Sequence, residues 1–431
     1  MPLKKNYPWN VLVFPAASEI GFEINHALGD SKEVILHGAN QAHVGLADFH
    51  FQRLYELPSI VDPTCLIHLQ TLIAEYRIDA IFPAHDDVLL WLAEHAKALT
   101  AQIITSNVAT CRICRSKQAT YASVEGSIRV PRLWKAGDPN IQFSIFVKPD
   151  RGQGSQHARR IENFTDLNIA LASNPDLLVM EYLPGREYTV DCFSQHGEVL
   201  FARARERLQT KAGISTLTRT KNLPFAQEWA KKISSCLDLR GAWFFQTKED
   251  ASGQPCLLEI APRIAGSMAL NRVTGPNFPL LNLYESAGHM IQIDAIDITM
   301  SMGRSLNTRF VYDRPIDALY IDLDDTLIIR GEVNTRLVAL IFQCRNRGIP
   351  VHLITHHPGN LQETLAKFRI GNLFDQIFHL PDPQTPKAGL IRGKNAVLID
   401  DSFRERQEAV KTLGIRCFDT AGAICLLDER R

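Results

Sequence analysis

What this sequence lacks narrows its function before any motif is considered. No apolar run approaches the roughly 18 residues that suggest a bilayer span. The opening stretch MPLKKNYPWNVLVFPAA passes straight into a strand without a secretory cleavage pattern. An excess of either charge is missing too. The 47 lysines and arginines are matched by 47 aspartates and glutamates, which argues against broad nucleic-acid or membrane-surface binding. Cysteine is sparse: nine residues, an odd number with no spacing framework, suit a reducing compartment, and a cytoplasmic protein is expected. Cys111 and Cys114 form a CxxC without the second pair that a zinc site needs, and read as neighbours on one helical turn. No GxGxxG follows the first strand, so a dinucleotide site is not expected. Internal repeats and low-complexity segments are absent.

What is present is an alternation of short apolar strands with helical periodicity, an α/β pattern over a length that suits roughly three compact units. Residues 1–115 read as an open βαβ domain, with strands NVLVFPA, EVILHGA and IDAIFPAHDD and helices SEIGFEINHAL and VLLWLAEHAKAL. Residues 116–300 are richer in strands: FSIFVKPD, LLVMEYL, EYTVDCF, EVLFARARE, AWFFQTKED and PCLLEIAP. Residues 301–315 read as a linker, and 316–431 as a further α/β unit opening at DALYIDLDD.

Two places carry chemistry. In the first, Lys148 ends a strand and is followed by a loop containing Gly152, Gly154 and Ser155. Such a loop lets backbone N–H groups close on phosphate oxygens while the ammonium adds a point charge, although lysine-then-glycine turns are also common structural punctuation. In the second, the strand ALYID runs into Asp322-Leu323-Asp324-Asp325-Thr326. Thr355 then ends the strand VHLIT, Lys387 lies where a loop leads into an expected helix KAGLI, and Asp400-Asp401 end AVLID.

The segments around Lys148, LLVMEYLPGREYTVDCF and PCLLEIAPRIAGSMALNRVTG, in that order and spacing, resemble the ATP-grasp superfamily over roughly residues 5–295, closest to carboxylate–amine ligases and carbamoyl-phosphate-synthase-like members. The resemblance implies an ATP-grasp fold after an N-terminal open βαβ domain, with a lid subdomain over about 120–187. It implies that Lys117 and Lys148 contact nucleotide phosphates. Glu181, Tyr182 and Leu183 would form the adenine hinge, and Glu187 the ribose acid. Lys211 and Gly213 would lie on a mobile loop. Gln246 and Glu259 would hold magnesium, and Arg263 would face phosphate. Where the family usually has asparagine two residues beyond that glutamate, this chain has Ala261. Ser18, Glu19, His85, Asp86 and Asp87 would either select an amine or cap helices, and Asp191 reads as a structural strand residue.

The C-terminal motifs resemble the haloacid dehalogenase superfamily, implying an uncapped Rossmann-like phosphatase domain. Asp322 would be the nucleophile, Asp324 the acid–base, and Thr355 and Lys387 the phosphoryl binders. Asp322, the backbone carbonyl of Asp324, Asp400 and Asp401 would bind magnesium. His356 and His357 read as loop residues. No cap domain fits at either usual insertion site, so the substrate is large or another domain serves as the lid.

Together the resemblances imply a bifunctional enzyme: an ATP-dependent ligase joined to a phosphatase, with ATP and Mg2+ (or Mn2+) as cofactors. Its implied partners are a small carboxylate, an amine and a phosphorylated pathway intermediate, with no membrane; a homodimer is compatible with the sequence, which does not fix the oligomeric state. The alternatives are a phosphatase carrying a non-catalytic nucleotide-binding module, or a regulatory protein that senses ATP.

Overall fold

The computed structural model describes Leu3 and residues 8–41, 45–135, 137–152 and 157–431. Two compact units result: residues 1–306 with Arg430 and Arg431, and residues 307–429. No helix among the described residues is long and apolar enough to cross a membrane.

The first unit opens with a five-stranded parallel sheet in the order Leu54–Leu57, Val34–Gln41, Trp9–Phe14, Ala80–Pro83, Gln102–Ile103. The central strand WNVLVF has almost no polar residue because both of its faces are covered. Trp9, Val11 and Val13 enter one core cluster, Leu12 and Phe14 another. The helix Glu19–Leu28 follows the first strand, and Ser18 Oγ accepts from Gly21 N at 2.9 Å. Asp86–His95 is capped in the same way by His85, whose Nδ1 accepts from Asp87 N at 3.2 Å. Ser18 and His85 therefore act as N-caps.

A four-stranded antiparallel sheet follows, ordered Leu133–Trp134, Leu177–Glu181, Ile145–Pro149, Arg159–Ile161. Beyond it lies a six-stranded antiparallel sheet: Pro255–Ala261, Gly241–Glu249, Glu187–Gln195, Glu198–Lys211, Ile214–Lys221, Ser301–Gly303. The period of two sorts this larger sheet. Val190, Cys192, Trp243 and Phe245 face the helix Ala226–Cys236, while Glu187, Thr189, Asp191, Gln246 and Glu259 line the opposite face.

Two expectations are corrected here. Lys211 is on no loop: it ends a 14-residue strand and pairs with Ile214 across a two-residue turn. Ala212 and Gly213 have φ of 49° and 76°, the left-handed pair that a tight hairpin requires. The expected linker also begins as structure, because Ser301–Gly303 pairs with residues 217–219.

The second unit is a five-stranded parallel sheet ordered Gln376–His379, Val351–Thr355, Leu319–Ile321, Val397–Ile399, Arg416–Phe418. Between Thr326 and Thr355 lie only the hairpin Ile328–Ile329/Glu332–Val333 and the helix Thr335–Asn346. Between Thr355 and Lys387 lie the helix Leu361–Phe368, a short 3-10 turn and one strand. The helix expected after Lys387 is a four-residue 3-10 turn, Lys387–Leu390, whose first residue is the lysine itself.

Candidate functional site

Each unit gathers its chemistry at one place. In the first unit, a cleft is walled by the small antiparallel sheet on one side and the polar face of the large sheet on the other. Lys117, Lys148, Glu187, Gln246 and Glu259 all line it, as do Gly152, Gly213, Glu181, Tyr182 and Leu183. Gly154 and Ser155 lie outside the described residues.

Lys148 Nζ donates to Tyr121 Oη at 3.1 Å and to the carbonyl of Leu258 at 3.5 Å. Lys117 Nζ donates to the carbonyls of Asp150 (3.0 Å) and Gly152 (3.3 Å). Burial, and then the nearby Lys117 charge, push the Lys148 ammonium down to about 8. Burial lowers Lys117 as well. Two cations held by neutral acceptors in a low-dielectric cleft suit a polyanion.

Gln246 and Glu259 are register partners on adjacent strands, so their side chains rise from the same face about 5 Å apart. This pair of hard oxygen donors suits a magnesium ion. Glu187 is not free: Arg207 Nε lies 2.9 Å from its carboxylate, and Arg207 Nη2 donates to the Gly213 carbonyl at 2.6 Å. Sequence reasoning overlooked Arg207, although Arg203, Arg205 and Arg207 at period two in FARARER mark one face of a strand. The Glu181 carboxylate is occupied by Arg129 Nη2 at 2.6 Å and the Arg132 amide at 3.2 Å, and its own amide donates to the Arg132 carbonyl at 2.9 Å.

A smaller cleft adjoins the first through Lys117, Gly152 and Glu259 and contains Ala261 and Arg263. Arg263 does not face it as an unpaired cation. Its Nε and Nη2 donate to Asp86 at 2.5 and 3.0 Å, and its guanidinium stands 5.2 Å over the Phe244 ring. Burial raises the Asp86 carboxyl, but Arg263 outweighs it and leaves the group below the usual carboxylate range. Asp87 pairs with Arg115 at 2.7 Å, and Glu19 with Arg304 at 3.3 Å. Ala261 sits opposite Phe244 in the core, so an apolar pair stands beside the Gln246–Glu259 row. Cys111 and Cys114 lie on the helix Val108–Arg115, and burial pushes both thiols up.

In the second unit, Asp322, Thr355 and Asp400 sit at the C-terminal ends of adjacent parallel strands, where open α/β sheets bind ligands. Lys387 Nζ bridges Asp322 (2.7 Å) and Asp400 (2.6 Å), all three nearly buried. Carboxylate oxygens of Asp322, Asp400 and Asp401 lie within 4.8 Å of one another. Burial, reinforced by Asp400 and opposed by Lys387, raises Asp322 to about 6. Asp400 is also raised by burial against the pull of Lys387. Burial works against the Lys387 ammonium too, but the two carboxylates hold it above its usual value. Three crowded carboxylates with one ammonium leave negative charge that a divalent cation would neutralise.

The Asp324 carboxylate is half-exposed and takes His357 Nδ1 at 2.9 Å, while His357 Nε2 meets Thr364 Oγ1 at 2.9 Å. His357, expected as a plain loop residue, is thus tied to the predicted acid–base. The Thr355 hydroxyl accepts from the His357 amide at 3.2 Å, which fixes the turn between them.

Residues 173–302 match the family described as "ATP-grasp in the biosynthetic pathway with Ter operon". No curated protein matches the chain. Among solved structures, N5-carboxyaminoimidazole synthetase from Staphylococcus aureus complexed with ADP is similar at 14% identity and TM-score 0.57, covering 71% of this chain and 84% of that one. Biotin carboxylase from Campylobacter jejuni matches at 13% identity and TM-score 0.56, over 66% of this chain and 72% of its own. L-amino acid ligase from Bacillus licheniformis matches at 16% identity and TM-score 0.52, over 65% and 75%. At these identities the similarity establishes a fold, and with the family match in the first unit that fold is ATP-grasp.

Two predictions follow from the electrostatics. Lys148 is depressed in the free protein, and a bound polyanion would raise it, so ATP binding takes up a proton above about pH 8. The Kd for ATP should be flat below pH 8 and then weaken toward tenfold per pH unit, as read by titration at fixed ionic strength. A Kd unchanged to pH 10 would count against the lysine pair.

The second concerns Asp322, whose folded value of about 6 lies above the usual aspartate range near 4. A raised carboxyl contributes stability fully present below pH 4 and lost as pH rises through 6. At pH 7.5 without metal, Asp322→Asn should therefore stabilise the second unit by up to roughly 3 kcal/mol. Magnesium should stabilise wild type more than the variant. A lower melting point for the metal-free variant would show that Lys387 already balances the charge.

Proposed function

We propose that the chain is a bifunctional biosynthetic enzyme. Its first unit would join a carboxylate to an amine with conversion of ATP to ADP, and its second would hydrolyse a phosphomonoester. The observation that carries the reading is the lining of one cleft by Lys117, Lys148, Gln246 and Glu259, within a fold shared with ATP-dependent ligases.

In the ligase half, Lys117 and Lys148 hold the phosphates, Tyr182 and Leu183 offer backbone to the adenine, and Glu187 with Arg207 faces the ribose. A substrate carboxylate oxygen attacks the γ-phosphorus, the bridging P–O bond breaks, and ADP leaves with the electron pair. The acyl phosphate is then attacked by an amine, which loses a proton as inorganic phosphate departs. Positioning and charge neutralisation dominate such a transfer, so no covalent help from the protein is needed. The hairpin turn at Gly213, fastened by Arg207, is suited to keep water from the acyl phosphate.

In the phosphatase half, in the manner of haloacid dehalogenase enzymes, an Asp322 oxygen attacks phosphorus while Asp324 protonates the departing alkoxide. Asp324 then takes a proton from the water that attacks the aspartyl phosphate, releasing phosphate and restoring Asp322. Thr355 and Lys387 bind the phosphoryl oxygens. Gln246 and Glu259 in one site, and Asp322, Asp400 and Asp401 with the Asp324 carbonyl in the other, would hold magnesium or manganese, which supplies neutralisation of phosphate charge.

Lys148→Met or Glu259→Gln should lower substrate-dependent ADP release at least about a hundredfold, measured with ATP, magnesium and pools of amino acids and small carboxylates. Asp322→Asn should abolish hydrolysis of an aryl phosphate while leaving ADP release intact. Near-normal ADP release in both ligase-site variants would remove the first activity; residual phosphatase turnover in Asp322→Asn would remove the second.

A further inference from the structure

Of the proposed nucleophile and acid in the second unit, only Asp322 is enclosed by its surroundings. Asp322 is nearly buried against Lys387, whereas the Asp324 side chain is 45% exposed. The backbone of Asp324 is fixed by an isolated bridge to Ile328, and Asp325 turns the chain with a φ of 54°. A short carboxylate that open to water still has several rotamers to choose from. A general acid, however, works only within hydrogen-bond reach of the oxygen it protonates. Something beyond the backbone must select the rotamer.

His357 does so. Its Nδ1 lies 2.9 Å from Oδ2 of Asp324 and 3.1 Å from Oδ1, and the imidazole is mostly buried. An ionised carboxylate only accepts, so Nδ1 carries the hydrogen. The other ring nitrogen, Nε2, meets Thr364 Oγ1 at 2.9 Å on the helix Leu361–Phe368. With both nitrogens engaged, the ring cannot turn from Asp324 without breaking two hydrogen bonds. The backbone beneath it is pinned as well. His357 N donates to Thr355 Oγ1 at 3.2 Å, and His379 Nε2 stands 2.9 Å from the His357 carbonyl. Gly359 leaves the ring its space, since a Cβ there would stand 3.2 Å from Nε2.

One residue thus joins two tasks. The Thr355 hydroxyl accepts from the His357 amide and keeps its own O–H for a phosphoryl oxygen. The His357 ring meanwhile holds the acid, so the acid and the phosphoryl binder are tied through a single residue. We infer that His357 is a positioning residue for the phosphatase reaction, keeping Asp324 at a set distance from a phosphoryl group bound at Thr355. Its contribution is then greatest for esters whose leaving oxygen cannot depart without a proton. The inference rests on the phosphatase reading and adds to it a residue and a dependence on the leaving group.

The test measures phosphate release by the full-length protein with magnesium from two esters. The phenolate of 4-nitrophenyl phosphate leaves unaided, whereas the more basic phenolate of phenyl phosphate needs a proton. The quantity read is kcat/KM, which covers the steps up to departure of the phenol and excludes later attack by water. His357→Ala should lower kcat/KM for phenyl phosphate at least about tenfold and for 4-nitrophenyl phosphate less than about threefold. His357→Asn, which returns an N–H donor near the place of Nδ1, should recover most of the loss. Gly359→Ala keeps the imidazole but crowds it, and should shift the ratio of the two esters in the same direction. An equal loss for both esters, no loss for either, or an asparagine variant as slow on phenyl phosphate as the alanine one would overturn the positioning role. If His357→Ala does not fold, a ratio unchanged in Gly359→Ala overturns it instead. Should Asp322→Asn abolish turnover while His357→Ala leaves the ratio as in wild type, this inference alone falls. Should wild type hydrolyse neither ester, or Asp322→Asn hydrolyse both as fast as wild type, the phosphatase reading falls with it.

Discussion

Like charges held together in a poorly solvated site are the constraint on which both units depend. Lys117 and Lys148 share a cleft, their ammonium groups hydrogen-bonded to the neutral oxygens of Tyr121 and of the Leu258, Asp150 and Gly152 carbonyls. Asp322 and Asp400 share a single buried ammonium. Neither arrangement helps the chain to fold, because desolvation and mutual repulsion disfavour the charged forms. The sheets around them must supply that stability, and they do so with strands such as Trp9–Phe14, Gly241–Glu249 and Val397–Ile399 whose residues are almost wholly buried. The sign of the crowding differs between units, and so does the ligand each would take: a polyanion in one, a divalent cation with a phosphoryl group in the other.

Much of this was legible from residue order because the chemistry sits where regular elements end. Asp322, Thr355 and Asp400 close short runs of buried residues, and a continuous run of that kind ending in a polar residue is hard to misread. That Gln246 and Glu259 stand on adjacent strands was implied by the family resemblance, and the register pairs them. What stayed hidden depended on long-range contact. That Arg263 binds Asp86, 177 positions away, cannot be inferred from either neighbourhood. The engagement of Asp324 by His357 needs two strand ends to meet. Strand Ile214–Lys221 escaped notice because only Ile214 and Leu217 of ISTLTRTK are apolar, and only its pairing partners make it a strand.

The large sheet separates two tasks by alternation. Odd positions of EYTVDCF carry Glu187, Thr189 and Asp191 toward the cleft, and even ones carry Tyr188, Val190 and Cys192 away from it. The ligand-facing rows can therefore vary in chemistry without repacking the opposite face against the helix Ala226–Cys236. Ala261 illustrates this freedom: an apolar residue stands two positions beyond Glu259, and Phe244 faces it from the next strand.

The short strand Ser301–Gly303 has a consequence for how the molecule can be cut. It hydrogen-bonds to Leu217, Thr218 and Arg219 and so blocks the open side of the last long strand. An uncovered row of backbone donors and acceptors is a template for pairing with another chain. A fragment ending at residue 300 would keep the described lining of the cleft that holds Lys117 and Lys148 and still present such an edge, with Leu217 already partly exposed beside it. Self-association of that fragment would then reflect the lost three-residue strand, and would say nothing about the assembly of the intact chain.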